Sequence, residues 1–171
     1  MMEARDWQLP AGLHLTPRDP AQAVRATATA AIAACALMIL ADFAFRNALP
    51  REYLDHYTAP LWPRTLLACI GALREELIYR LALLTALAAL PALFGRKAGH
   101  GWMIAAIAAA QLANIGALAF ILPPYGMVRF WLVGCIWGWL YWRHGFASAL
   151  AGHGLSHLLL DPVLQMVLSG F

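Results

Sequence analysis

Charge is scarce in this chain of 171 residues: twelve Lys and Arg and nine Asp and Glu make up only 12% of it, while 62% is hydrophobic. A soluble domain carries about one quarter charged residues. The shortage therefore excludes an ordinary water-soluble fold and points to an integral membrane protein. The formal net charge of +3 is spread thinly, with no basic stripe to track phosphates, which argues against a nucleic-acid partner. Cysteine is scarce too. Cys35, Cys69 and Cys135 are odd in number and isolated in apolar runs, so they form neither a disulfide framework nor a metal knuckle and read as small buried hydrophobes. The opening stretch "MMEARDWQLPAGLHLTPRDP" lacks the basic-then-apolar order of a cleavable signal. The first apolar run, after Arg25, thus reads as a retained anchor behind a polar segment of residues 1–22.

Apolar residues are what the chain has in plenty. A membrane-spanning helix needs about 20 of them, and five segments qualify: 23–45, 65–94, 101–122, 127–143 and 146–169. Together they predict an all-α, polytopic helix bundle, a single membrane domain over residues 23–171. "PREYLDHYTAPLWP", broken by Pro50, Pro60 and Pro63, is the first connection; "GRKAGHG", "PPYG" and "RHG" are the other three. The short ones make the last four helices antiparallel neighbours. The second segment exceeds what a bilayer requires and should tilt or protrude. Arg5, Arg18, Arg25, Arg96, Lys97 and Arg143 collect on one side, Arg46, Arg51, Arg64 and Arg129 on the other. The excess favours a cytoplasmic N-terminus. Gly134 and Gly138, and the small residues of "IAAIAAAQLANIGALA", read as close helix contacts.

Within this apolar background, "LREELIYRL" (residues 73–81) places Arg74, Glu75, Glu76 and Arg80 inside the second segment. Glu76 and Arg80, four apart, share a face of an α-helix and read as an intramembrane ion pair, which leaves Glu75 facing elsewhere. A charge at mid-bilayer costs about 3 kcal/mol or more, and such groups face a bundle interior or a wet cavity and mark function by default. "GHGLSHLLLD" sets His153 and His157 on one helical face, with Asp161 one turn further on. Gln111 and Asn114 stand three apart in the third segment; alone, such amides more often join helices than do chemistry. At about 1.5 Å per residue and a core of about 30 Å, Glu75 lies about 15 Å deep. On the same scale His153, His157 and Asn114 lie at about 10, 17 and 20 Å. One layer therefore holds Glu75, Glu76, Asn114, His153 and His157. A buried carboxylate has a raised pKa and can act as a base near neutral pH, and imidazole and amide groups can donate to a developing oxyanion. The set suits water attack on an amide carbonyl. His153, His157 and a Glu would also make a His₂-carboxylate zinc set, but "HGLSH" lacks the Glu of H-E-x-x-H.

At these residues the sequence resembles the CPBP family of CAAX prenyl endopeptidase type 2 and bacteriocin-processing (Abi) proteins. "EELIYR" fits the family's E-E-x-x-x-R motif, and "GCIWGWLYWRHGFASALAGHGLSH" resembles its closing stretch; the resemblance covers about residues 65–165. It implies a glutamate-dependent intramembrane endopeptidase that needs no cofactor. Glu75 would activate the water, Glu76 and Arg80 would orient the site, and His153 would match the last-motif histidine. The substrate would be a membrane-anchored protein or peptide in an inner membrane. Two positions depart from the pattern. The middle motif F-x-x-x-H is here "AQLAN", with Ala110 and Asn114, and His157 stands where Asn or Asp is usual. The departures suggest that Asn114 and His157 exchange duties between neighbouring helices. A small sorting-type (myxosortase-like) member, a non-catalytic immunity or scaffold relative, and a zinc-dependent membrane hydrolase are the readings set beside this one. A transporter is weaker, since five helices without a repeat leave little room for alternating access.

Overall fold

The computed structural model describes residues 9–116 and 123–168, and among these there are six α-helices and no β-strand. Helix α1 is Pro20–Phe45; Asp19 caps it by accepting the Gln22 backbone N–H, and Pro20 stands in the first turn, where its missing donor costs nothing. A 3₁₀ turn, Arg46–Ala48, extends it, and the short α2, Arg51–His56, lies in the Pro-rich connection. Helix α3 is the continuous run Leu61–Phe94. It is α-helical to Glu75 and then a π-helix over Glu76–Leu84. Helix α4 is His100–Ile115. Helix α5 opens with the turn Pro123–Gly126, passes through a second π stretch, Met127–Leu132, and continues as Val133–His144. Helix α6 is Phe146–Leu168.

Four of the five expected segments thus appear as helices, α1, α3, α5 and α6. The third ends early: α4 stops at Ile115, where Gly116 takes φ 47°. Residues 117–122, the end of that span, lie outside the described residues, as do residues 1–8 of the polar segment, Arg5 among them. "PPYG" is not a connection but the first turn of α5, a place where prolines need no N–H partner.

Pro20–Ala48 and Leu61–Phe94 are long and apolar enough to cross a membrane. At about 1.5 Å per residue α3 reaches about 51 Å, well beyond a core of about 30 Å. Only 17% of its most apolar window is buried, so its Leu66, Leu67, Ile70, Leu77 and Ile78 face outward. An apolar belt of this extent needs lipid rather than water around it.

Helix α6 is the centre of the bundle and packs on α1, α3 and α5, while α4 closes over the π stretch of α3 and the face of α5. Trp137, Leu140 and Tyr141 of α5, Leu160 and Leu164 of α6, Leu84 of α3 and Met103 of α4 form the core. Gly138 lets α4 and α5 approach: a Cβ there would meet Ile107 Cγ2 at 2.7 Å. Residues 9–18 fold back as a strap. Leu13 is fully buried, and the carbonyls of His14 and Leu15 accept the Phe146 and Ala147 N–H groups at 3.0 and 2.9 Å, satisfying donors that the start of α6 would otherwise leave open. Gly145 (φ 89°) makes this possible, since a Cβ would stand 3.0 Å from the Thr16 backbone.

Two of the basic residues counted at the helix ends turn inward instead. Arg64 and Arg129 are 3% and 8% exposed. Each has found partners: Arg64 donates to the carbonyls of His56, Ala59 and Asp161, and Arg129 pairs with Asp42. Of the four basic residues counted on the second side, Arg51 is exposed and Arg46 half-buried.

Candidate functional site

The polar centre is built on the π stretch of α3. In a π-helix the hydrogen bonds run i→i+5, so residues five apart come under one another. Arg80 therefore reaches both carboxylates: its Nε is 3.5 Å from Glu76 Oε1 and its Nη1 is 3.9 Å from Glu75 Oε2. The expected Glu76–Arg80 ion pair is present, while the expectation that Glu75 faces elsewhere is corrected: one guanidinium serves two carboxylates. Arg74, the fourth charge of the stretch, is exposed. Arg80 is held in turn by α4 and α5, through Gln111 Oε1 at 2.6 Å and the Gly134 carbonyl at 3.1 Å. Gln111 donates to the Phe130 carbonyl at 3.1 Å. Gly134 is required at this junction, because a Cβ there would overlap the Gln111 amide.

The two carboxylates have opposite surroundings. Glu76 is fully buried; Oε1 takes His153 Nδ1 at 2.9 Å, and Oε2 has no hydrogen-bond partner among the described residues. Glu75 keeps 36% of its side chain accessible and lines a cavity of about 210 Å³. Asn114 Nδ2 donates to its Oε2 at 2.9 Å, while Oε1 has no hydrogen bond or ion pair among the described residues. Asn114 also lies 3.4 Å from Gln111 Oε1, so α4 supplies one continuous amide ladder from Glu75 to Arg80.

The imidazoles form the opposite wall. His153 is sandwiched between Trp137 (centroids 5.4 Å, 15° between planes) and His157 (5.3 Å, 27°). With Nδ1 engaged by Glu76, its Nε2 is the ring atom left for the cavity. His157 lines the same cavity, its Nδ1 3.8 Å from Asp161 Oδ1, and Asp161 Oδ2 accepts Thr65 Oγ1 at 2.9 Å. Glu75, Arg80, Asn114, His153 and His157 all border one space, and Glu76 stands directly behind His153. Among the described residues no three His, Cys, Asp or Glu side chains converge into a metal-holding group, so the zinc set of His153, His157 and a Glu does not assemble.

Sequence reasoning passed over Gln111 as a site member and overlooked Trp137 and a second polar cluster beside the cavity. Asp42 of α1 accepts Tyr125 Oη at 2.7 Å and Arg129 Nε at 3.1 Å on Oδ1, and Tyr53 Oη at 2.9 Å on Oδ2. Tyr57 Oη lies 3.3 Å from Tyr53 Oη. Asp42 is a lone acid in the apolar run "LADF", and that alone marks it, since an ionisable group inside a span implies a partner.

A helical membrane bundle that encloses a carboxylate, an amide and two imidazoles around one small cavity has the parts of a membrane-embedded hydrolase. The profile of the Type II CAAX prenyl endopeptidase Rce1-like family matches residues 57–159, more than half of the chain and a span that contains all six residues singled out from the sequence. The chain belongs to this family, which is one of membrane proteases. Comparison with curated proteins and with solved structures returned no match.

Proposed function

We propose that the protein is an intramembrane endopeptidase that hydrolyses a peptide bond of a membrane-anchored substrate with a water activated by Glu75. The observation that carries this reading is the division of labour between the adjacent carboxylates: Glu75 is partly accessible and borders the cavity, Glu76 is sealed behind His153. Asn114 and Arg80 hold Oε2 of Glu75, leaving Oε1 to accept a proton from water in the cavity. The hydroxide adds to the amide carbonyl carbon, and the C=O electron pair moves to oxygen. That oxyanion forms on the side of His153, where an N–H at Nε2 of the ring, held through Nδ1 by Glu76, donates to it. Collapse of the adduct breaks the C–N bond, and Glu75 passes its proton to the leaving nitrogen. His157 stacks on His153 and keeps the ring in place. On this reading Asn114 orients the base, so the exchange with His157 is one of position rather than of like-for-like donors.

The family's printed description names prenyl endopeptidases; for this chain the substrate is placed more broadly, as an anchored protein or peptide, with a sorting-type role among the options. Five crossing helices, an inner membrane location and a cytoplasmic N-terminus complete the proposal. A non-catalytic (immunity or scaffold) role draws its support from Asn114 standing where the family pattern has histidine.

The test compares protein termini in membranes of cells expressing the wild type and Glu75→Gln. New termini should appear with the wild type and fall by about 10²- to 10⁴-fold in the variant, the usual range for loss of a general base. Identical termini in both would sink the proteolytic reading and leave the non-catalytic one.

A further inference from the structure

A second and larger cavity, about 840 Å³, opens away from the candidate site, between the strap, α1 and α5. Its mouth is basic. Arg18 and His14 come from the strap, Arg25 from the first turns of α1, and Arg143 and His144 from the end of α5. Among the described residues no acidic side chain lines it, and none of the three arginines makes a salt bridge. Asp19 is the nearest opposing charge in sequence; it does not line the cavity, and its Oδ1 accepts the Gln22 N–H. The His14 ring also borders the cavity, and its buried Nε2 has no hydrogen-bond partner among the described residues. A buried polar atom without a partner signals a missing one.

The lower wall is different. Ala26, Ala30 and Ala33 of α1 and Ile136 of α5 continue the cavity below the arginines. Ala33 lies eight residues past Arg25, about 12 Å deeper along the helix. Trp139 and Trp142 flank the mouth, where indoles sit at the level of lipid headgroups. Arg143 stands over the Trp142 ring at 5.7 Å, which fixes its guanidinium at that level.

We propose that this groove is a binding site for an anionic glycerophospholipid. The phosphate sits among Arg18, Arg25 and Arg143, where guanidinium groups offer paired donors to phosphate oxygens, and one acyl chain lies along the alanine face of α1. A free phosphate would satisfy the mouth but leave the apolar wall uncovered, so the shape of the groove favours the lipid. The site is built by the strap, and the strap by Gly145. Bound lipid therefore ties the strap, α1 and the α5–α6 turn into one unit.

Native mass spectrometry of the full chain in detergent, titrated with phosphatidylglycerol and with phosphatidylcholine of the same acyl chains, tests this. Phosphatidylglycerol should be retained and phosphatidylcholine shed. Arg25→Gln with Arg143→Gln should weaken phosphatidylglycerol about 30-fold, the size expected of two basic residues at an anionic headgroup, whereas Arg46→Gln with Arg51→Gln should leave it unchanged. Equal retention of the two lipids by the wild type overturns the proposal, a comparison that needs no variant to fold. Unchanged phosphatidylglycerol binding in the Arg25/Arg143 variant overturns it as well. Displacement of the lipid by glycerol 1-phosphate at equal concentration would show a site for a small phosphate instead.

Discussion

Of the three buried arginines, Arg80 and Arg129 each lie inside a π stretch, and their surroundings diverge. Arg129 faces Asp42, whose two oxygens receive Tyr125, Tyr53 and Arg129 itself. Both oxygens of Asp42 are engaged, and Tyr53 and Tyr125 donate to it from α2 and α5. Arg80 faces two carboxylates, yet its Nη1 and the Oε2 of Glu76 have no hydrogen-bond partner among the described residues. Both arginines border the same cavity, but one network satisfies its carboxylate and the other leaves those two atoms short of partners among the described residues. Low dielectric makes a satisfied pair rigid and an unsatisfied one costly. The incomplete network is therefore the one with capacity to take up a water, a proton or a substrate carbonyl, and the complete one serves as its frame.

The contrast can be broken most forcefully at Asp42. Asp42→Ala leaves Arg129 charged and buried without its partner, and should destabilise the fold by about 3–5 kcal/mol, read as a drop in melting temperature in detergent. Replacing both residues, Asp42→Leu with Arg129→Met, should restore most of that loss; a double variant as unstable as the single one would show that the tyrosines, not the charge, set the cost. In the incomplete network the main effect should be on turnover. Asn114→Ala removes a hydrogen bond to a charged group, of about 1.5–3 kcal/mol. Cleavage should fall about 10- to 100-fold with melting temperature nearly unchanged, and full turnover in both Asn114→Ala and His157→Ala, with Glu75→Gln inactive, would refute the exchange of duties between these two residues. The smallest effect is expected at the edge of the complete network. Tyr57→Phe removes only its hydroxyl contact with Tyr53 and should cost about 0.5–1.5 kcal/mol, with cleavage intact.

The helices were legible because apolar runs of this length permit little else in lipid, and their short connections order α3 to α6 as neighbours. The shared depth of Glu75, Asn114, His153 and His157 was legible from residue counting alone. The twist of α3 was not. On an α-helix Glu75 and Arg80, five apart, diverge, and only the π geometry brings the guanidinium beneath both carboxylates. Nor was the Asp42–Arg129 pair, whose members are 87 positions apart. Near a proline-rich turn Arg129 looks like an interfacial anchor, and nothing local shows that an aspartate of α1 waits for it. Gln111 illustrates a third limit: an amide that merely bridges helices and one that holds a site arginine have the same sequence signature.

The strap has a consequence for biosynthesis. Its carbonyls at His14 and Leu15 wait for N–H groups at Phe146 and Ala147. At about 5–20 residues per second, the intervening 130 or so residues take about 7–26 s to emerge from the ribosome. Throughout that interval the early segment can pack only on the Thr85–Ala89 stretch of α3, and its two carbonyls lack their N–H partners. Completion of the last hairpin then supplies the Phe146 and Ala147 N–H groups, so the order of synthesis makes these two bonds the last the strap can form.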